Sequence, residues 1–205
     1  FSSMFPPEES VRASALLTGI GSVGRMLATG VTGSLNALGQ RLWPSDDPFS
    51  GYPLAYYVAV AAAVLSAIIL IPVVEKRRPP KTPSWSSLGH LIVRKDVLLP
   101  SLLSAVTQYG VWMSTFTFMP ILARNLGASD VSVSLMLSAN IGVQTLANLG
   151  ASALSRRVGD RVLVYAGFVL MSAGLVGAGV ATSLVGLWIA QLALGLSQGL
   201  AYPVL

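Results

Sequence analysis

Arg25 carries the sharpest chemical demand in the sequence, because it is the single charge inside a run of apolar and small residues, Ala13–Leu38. A cation held in hydrocarbon is costly and faces a cavity or a partner. It could attract an anionic group of a solute or pair with a carboxylate elsewhere. It could equally be structural, bonded to backbone carbonyls or snorkelling. Gln108, Trp112 and Thr115 recur at i, i+4, i+7, which puts them on one face of a helix, with Tyr109 and Thr117 in the same run. Amide, indole and hydroxyl groups could read a polar or aromatic solute, or hydrogen-bond between helices. Asn140, Gln144 and Asn148 form an amide stripe at i, i+4, i+8. Such a stripe lines a cavity or holds helices together. Gln191, Gln198 and Tyr202 add polar groups to the last apolar run.

The remaining chemistry is narrow. The acids Glu8, Glu9, Asp46, Asp47, Glu75, Asp96, Asp130 and Asp160 all fall between apolar runs or at their ends. No acid within a run is placed to carry a proton, so if the protein moves protons the acid that carries them is expected upstream of Phe1. With no cysteine, disulfides, thiolate metal sites and cysteine nucleophiles are excluded. The one histidine, His90, lies in a polar stretch, where solvation is its expected state. The sequence has no HExxH, no paired intramembrane aspartates, no GxSxG and no Walker-type loop. Neither an enzyme nor an ATP-hydrolysing motor is expected, and neither a metal nor a cofactor.

The elements that must position these residues are apolar. Of the 205 residues, 53% are hydrophobic and 10% charged, against about 25% charged in soluble domains. The mean hydropathy is +0.69, and together these values point to an all-α membrane protein. Six runs are long enough for helical spans of about 20 residues: Ala13–Leu38, Pro53–Val74, Val97–Ala123, Val131–Leu154, Val162–Thr182, and a last run from Leu184 to the final residue. Tyr52, Tyr56 and Tyr57 suit an interfacial belt. Between the second and third runs, 75–96 is the most basic connection, and Trp85, Leu88, Leu91 and Ile92 recur in it at helical spacing. It is either a helix lying on the membrane surface or an ordinary linker. The chain opens on Phe1 and stops inside an apolar run at Leu205, without a signal peptide, so an internal piece of a longer protein is expected.

The basic stretch Ser152–Arg161 must face water, which makes it an expected turn between the fourth and fifth runs. Alternating the spans with this turn inside puts ten of the 13 Lys and Arg on the inner side and two, Arg41 and Arg124, outside. Short cytoplasmic loops carry such an excess. The net charge of +5 therefore reads as topology and contact with the inner leaflet, not as nucleic-acid binding.

Within this turn Arg157, Val158, Gly159 and Arg161 follow the loop motif Gly-x-x-x-Asp-Arg-x-Gly-Arg-Arg, while Ser152, Arg156 and Asp160 depart from it. The chain thereby resembles the major facilitator superfamily, whose motif lies between the second and third helices of each six-helix half. Three further stretches agree. Phe118-Met119-Pro120 followed by Leu126-Gly127-Ala128-Ser129 resembles the end of the seventh helix, 75–96 the linker between halves, and Arg12 before a Gly-rich helix the start of the fifth. Gly30-Val31-Thr32-Gly33-Ser34 is a partial echo of the antiporter element Gly-Pro-x-x-Gly-Gly, without its proline.

The resemblance implies six transmembrane helices, about the fifth to the tenth, of a twelve-helix, two-half fold. Residues 1–74 would end the N-terminal half, 75–96 form the linker, and 97–205 open the C-terminal half. It implies a secondary transporter working by alternating access on a small-molecule substrate, in the plasma membrane, with protons as a candidate coupling ion. Efflux of an amphipathic or drug-like molecule is the expected direction. Uptake of a sugar or organic anion, and a non-transporting receptor or scaffold, are the alternatives. Arg25, Gln108, Trp112, Thr115, Asn140 and Gln144 would line the substrate site, and Arg157, Gly159 and Arg161 would form the conformational loop.

Overall fold

A computed structural model describes residues 7–47, 49–71 and 94–201. The basic connection 75–93 with His90 and the spaced Trp85, Leu88, Leu91 and Ile92, the start of the chain to Pro6, and Tyr202 all lie outside these residues. Among the described residues the structure is helical throughout, with no strand. The rods are α1 (Pro7–Leu42), α2 (Tyr52–Leu70), α3 (Lys95–Val111), a π-helical segment Trp112–Phe118, α4 (Met119–Asn125), α5 (Asp130–Val158), α6 (Asp160–Gly179) and α7 (Leu184–Ala201). The third expected run is thus one rod in three pieces. The six expected runs coincide with six rods. Three of these, Tyr52–Leu70, Asp160–Gly179 and Leu184–Ala201, are long and apolar enough by themselves to cross a membrane. The others are diluted by glycines and hydroxyls in α1, the amide stripe in α5 and the division of the third rod.

Local chemistry sets the ends. α1 is described from Pro7 to Leu42, with Arg41 in its last turn, where the helix dipole favours cations. Hydroxyls inside the rods donate to their own helix, as Thr32 does to Ala28 O at 2.7 Å and Thr145 to Ile141 O at 2.8 Å. These bonds pair the two hydroxyl protons inside the helix itself, as a lipid environment favours. Between α4 and α5 the chain turns at Gly127, with φ +85°. Ala128 N donates back to Ala123 O at 2.9 Å, and Ser129 caps α5 by accepting from Ser132 N. Arg124 and Asp130 bridge this turn at 2.7 Å.

The expected turn Ser152–Arg161 is corrected to a single residue. α5 runs on to Val158 and α6 starts at Asp160, leaving Gly159 between them with φ 86° and ψ 151°. Arginine is a good helix former, and Arg156 and Arg157 in the last turn of α5 complement the helix dipole. Their need for water is met at a helix end, so it does not unwind the helix.

The described contacts form two units. In one, 35–105, the C-terminal end of α1 packs on the start of α2. A Cβ on Gly39 would lie 2.5 Å from Gly51 O, and one on Gly51 would collide with Asn36 O. No residue of α2 is buried. The other unit holds 1–34 and 106–205. Its core gathers Met119 and Ala123 of α4, Val133 and Met136 of α5, Met171 of α6 and Leu187 of α7.

Candidate functional site

Two glycine contacts bring α5 and α7 together. A Cβ on Gly195 would lie 2.5 Å from Asn140 O, and one on Gly199 would lie 2.5 Å from Gln144 O. Only a bare backbone permits this approach, the close-packing role of small residues in lipid. It brings two members of the amide stripe onto α7. Asn140 is buried and donates from Nδ2 to Gln191 O at 2.7 Å. Gln144 is half-buried beside Gly199. One amide of the stripe therefore joins helices, as one of the two sequence readings expects.

Gln191 is the most demanding group in this region. It is 0% exposed, and neither Nε2 nor Oε1 has a hydrogen-bond partner. Gln198 Nε2 and Thr115 Oγ1 share this condition. A buried polar group of this kind costs about 1–3 kcal/mol and calls for an explanation. Polarity alone marked Gln191 in the sequence, and its full burial comes from the register with which α7 meets α5.

The face expected for Gln108, Trp112 and Thr115 is corrected. Gln108 is exposed and Trp112 is 62% exposed, yet Thr115 is 1% exposed. The cause is the π-helical segment that begins at Trp112. Its i→i+5 bonds widen the turn, so three residues rotate the chain less than in an α-helix, and Thr115 leaves the Trp112 face. Thr117 Oγ1 donates to Trp112 O and Met119 N to Ser114 O, both across five residues. Pro120 sits just after the segment and lacks the N–H that an α-helix would use. Its ring also clashes with the carbonyl four residues back, and a wider turn relieves both. Trp112 stacks on Phe116 with centroids 5.1 Å apart. Between this segment and α6 lies an apolar cavity of about 320 Å³, lined by Tyr109, Met113, Phe118, Met119, Leu175 and Ala178.

Arg25 is exposed, and its Nη2 donates to Ser22 Oγ at 3.2 Å. Among the described residues no hydrogen bond joins Arg25, Gln108 or Trp112 to Asn140. The sequence-derived candidates therefore form separate groups.

α1 and α5 meet on one stripe and then part. A Cβ on Gly33 would collide with Asp130 O and lie 2.6 Å from Ser134 Oγ, one on Gly30 would lie 3.3 Å from Ser138 Cβ, and one on Gly142 would lie 3.2 Å from Met26 Sδ. Ser138 Oγ donates across the contact to Met26 O at 2.8 Å. Seven residues further along each helix, on the same faces, the contact is gone. A Cβ on Gly19 meets nothing within 4 Å, and Leu149 is 66% exposed. The helices touch towards the end carrying the Arg124–Asp130 bridge, and at Gly19 and Leu149, towards the end of α5 carrying Arg156, Arg157 and Arg161, the contact has ended. All three of these arginines are exposed around Gly159.

No curated protein and no solved structure matches the chain. A family model described as Major Facilitator Superfamily matches residues 1–205. The chain belongs to the Major Facilitator Superfamily, as an all-helical integral membrane protein of the secondary-transporter type.

Proposed function

We propose that this chain is the middle of a transporter that exports an amphipathic or drug-like small molecule across the plasma membrane by alternating access. The observation that carries the reading is the α1–α5 contact, closed from Gly33 to Met26 and open beyond it. Two helices that touch along half their length form one side of a gate. On the proposed orientation the open half faces the cytoplasm. In this reading 1–74 closes the N-terminal half, 75–96 links the halves and 97–205 opens the C-terminal half. The α1–α5 stripe is then a contact between halves, where rocking of one repeat against the other opens and closes the route.

Arg25, Gln108, Trp112, Thr115, Asn140 and Gln144 are proposed to line that route, and Arg157, Gly159 and Arg161 to mark its inner gate. Protons are the proposed coupling ion, with the proton-carrying acid outside this stretch. Uptake of an organic anion is the second reading. It is favoured by Arg25, an exposed guanidinium that, among the described residues, donates to the neutral Ser22.

The test is flux in proteoliposomes holding the full-length protein, under an imposed pH gradient. Gradient-driven movement of a fluorescent amphipathic dye supports export. Movement of a labelled carboxylate with no dye flux supports the anion reading. No movement of either, for correctly folded protein, leaves a receptor or scaffold.

A further inference from the structure

α7 packs on α6 through Ala190, Leu194, Ser197 and Ala201. On another flank of α7, beside α5, lies a groove of about 360 Å³. Ala147, Gly150, Ala153, Leu154 and Arg157 of α5 line one wall, and Leu196 and Leu200 of α7 the other. Arg157 is the one charged lining residue among the described residues.

The groove's dimensions and charge point to its occupant. From Ala147 to Arg157 the helix rises about 15 Å, half of a hydrocarbon core about 30 Å thick. The groove is therefore as long as one leaflet is deep, with its cation at the headgroup end. Among the described residues Arg157 makes no ion pair, and the nearby acid Asp160 accepts a hydrogen bond from Ser155 instead. Arg156 and Arg161 stand exposed at the same end, which raises the local positive potential. The floor is open, since a Cβ on Gly150 would meet nothing within 4 Å. An apolar trough of leaflet length with an uncompensated cation at its mouth matches a lipid with an anionic head.

We propose that this groove binds one anionic phospholipid of the inner leaflet, with its phosphate on Arg157 and an acyl chain along the α5–α7 trough. Polybasic sites at the cytoplasmic face draw anionic lipids by this electrostatic attraction. The proposal rests on the inner placement of the Arg156–Arg161 end and is independent of the transported solute.

The experiment is native mass spectrometry of the full-length protein in detergent. It is titrated with palmitoyl-oleoyl phosphatidylglycerol, with phosphatidylcholine of the same chains, and with inorganic phosphate. One retained phosphatidylglycerol is expected, preferred about fivefold over phosphatidylcholine, the factor due to one cation at an anionic surface. Arg157→Gln should erase that preference and Arg157→Lys keep most of it. Gly150→Leu, which fills the trough without a clash, should lose the bound lipid at unchanged melting temperature. Three results overturn the proposal: equal retention of the two lipids by the natural protein, an unchanged preference in Arg157→Gln, or no retained phosphatidylglycerol because another helix of the full chain fills the groove. Displacement of the lipid by millimolar inorganic phosphate also overturns it, by showing a site for the free ion. An Arg161→Cys variant labelled in intact cells by an impermeant maleimide overturns the inner-leaflet assignment, whatever the transport assay gives.

Discussion

At the scale of single residues, the two groups that ask most of their surroundings are Gln191 and Arg25. Gln191 buries an amide whose side-chain atoms are both unpartnered. Gln191→Leu removes the unpartnered atoms at similar volume. It should stabilise the protein in detergent by about 1–3 kcal/mol, read as a rise in melting temperature, while transport falls. A gain in stability with transport intact would assign Gln191 to packing alone. For Arg25, Arg25→Gln is expected to lower flux about tenfold, the effect of about 1.4 kcal/mol, and Arg25→Lys to keep most of it. Equal loss in both variants would show that the guanidinium's geometry matters and not its charge. Arg25 stands out in the sequence as one charge in an apolar run, and the two variants decide whether that charge meets the solute. The condition of Gln191 was not legible in the sequence, because it depends on which α7 residues meet α5.

At the scale of elements, close approach is decided by glycine pairs. Gly199→Leu would drive a side chain into Gln144 O and Ala147 Cβ, both 2.5 Å from where the first added carbon would sit. Overpacking of this kind costs about 1–3 kcal/mol, so the variant should melt lower, while Gly150→Leu, with open space around it, should not. Gly159 is constrained differently. Its φ of 86° and ψ of 151° lie in a region that is essentially glycine-only, and Gly159→Ala should cost about 1–3 kcal/mol, measurable in the same melt. The rods were legible because six apolar runs are separated by charges, prolines and glycines. Two features were hidden. The helix through Arg156 and Arg157 escaped because a charge needs only water, which a helix end supplies. The π-helical turn before Pro120 escaped because apolar periodicity does not distinguish four-residue from five-residue hydrogen bonding, and Thr115 was misplaced as a result.

At the scale of the whole molecule, alternating access requires that some contact closed in one state be open in the other, and the α1–α5 stripe is the contact to test. The family and the all-helical class were legible from the order and sidedness of the basic connections, which reflect the bilayer's demand on every span at once. The state of the gate was not, since one sequence serves both states. These 205 residues hold no cysteine, so a cross-link introduced here meets no competing thiol within them. A Cβ on Gly30 would lie 3.3 Å from Ser138 Cβ, close to the 3.5–4.5 Å at which disulfides form. Gly30→Cys with Ser138→Cys should therefore oxidise readily and hold the two helices together. If transport needs them to separate, the oxidised double variant loses flux about tenfold or more, a barrier increase of about 1.4 kcal/mol or above, and reductant restores it. Each single variant should stay near the natural rate, which separates the cross-link from any crowding at Gly30. A cross-linked protein that still transports would show that this contact is a fixed hinge, and the moving closure would then have to lie elsewhere in the chain.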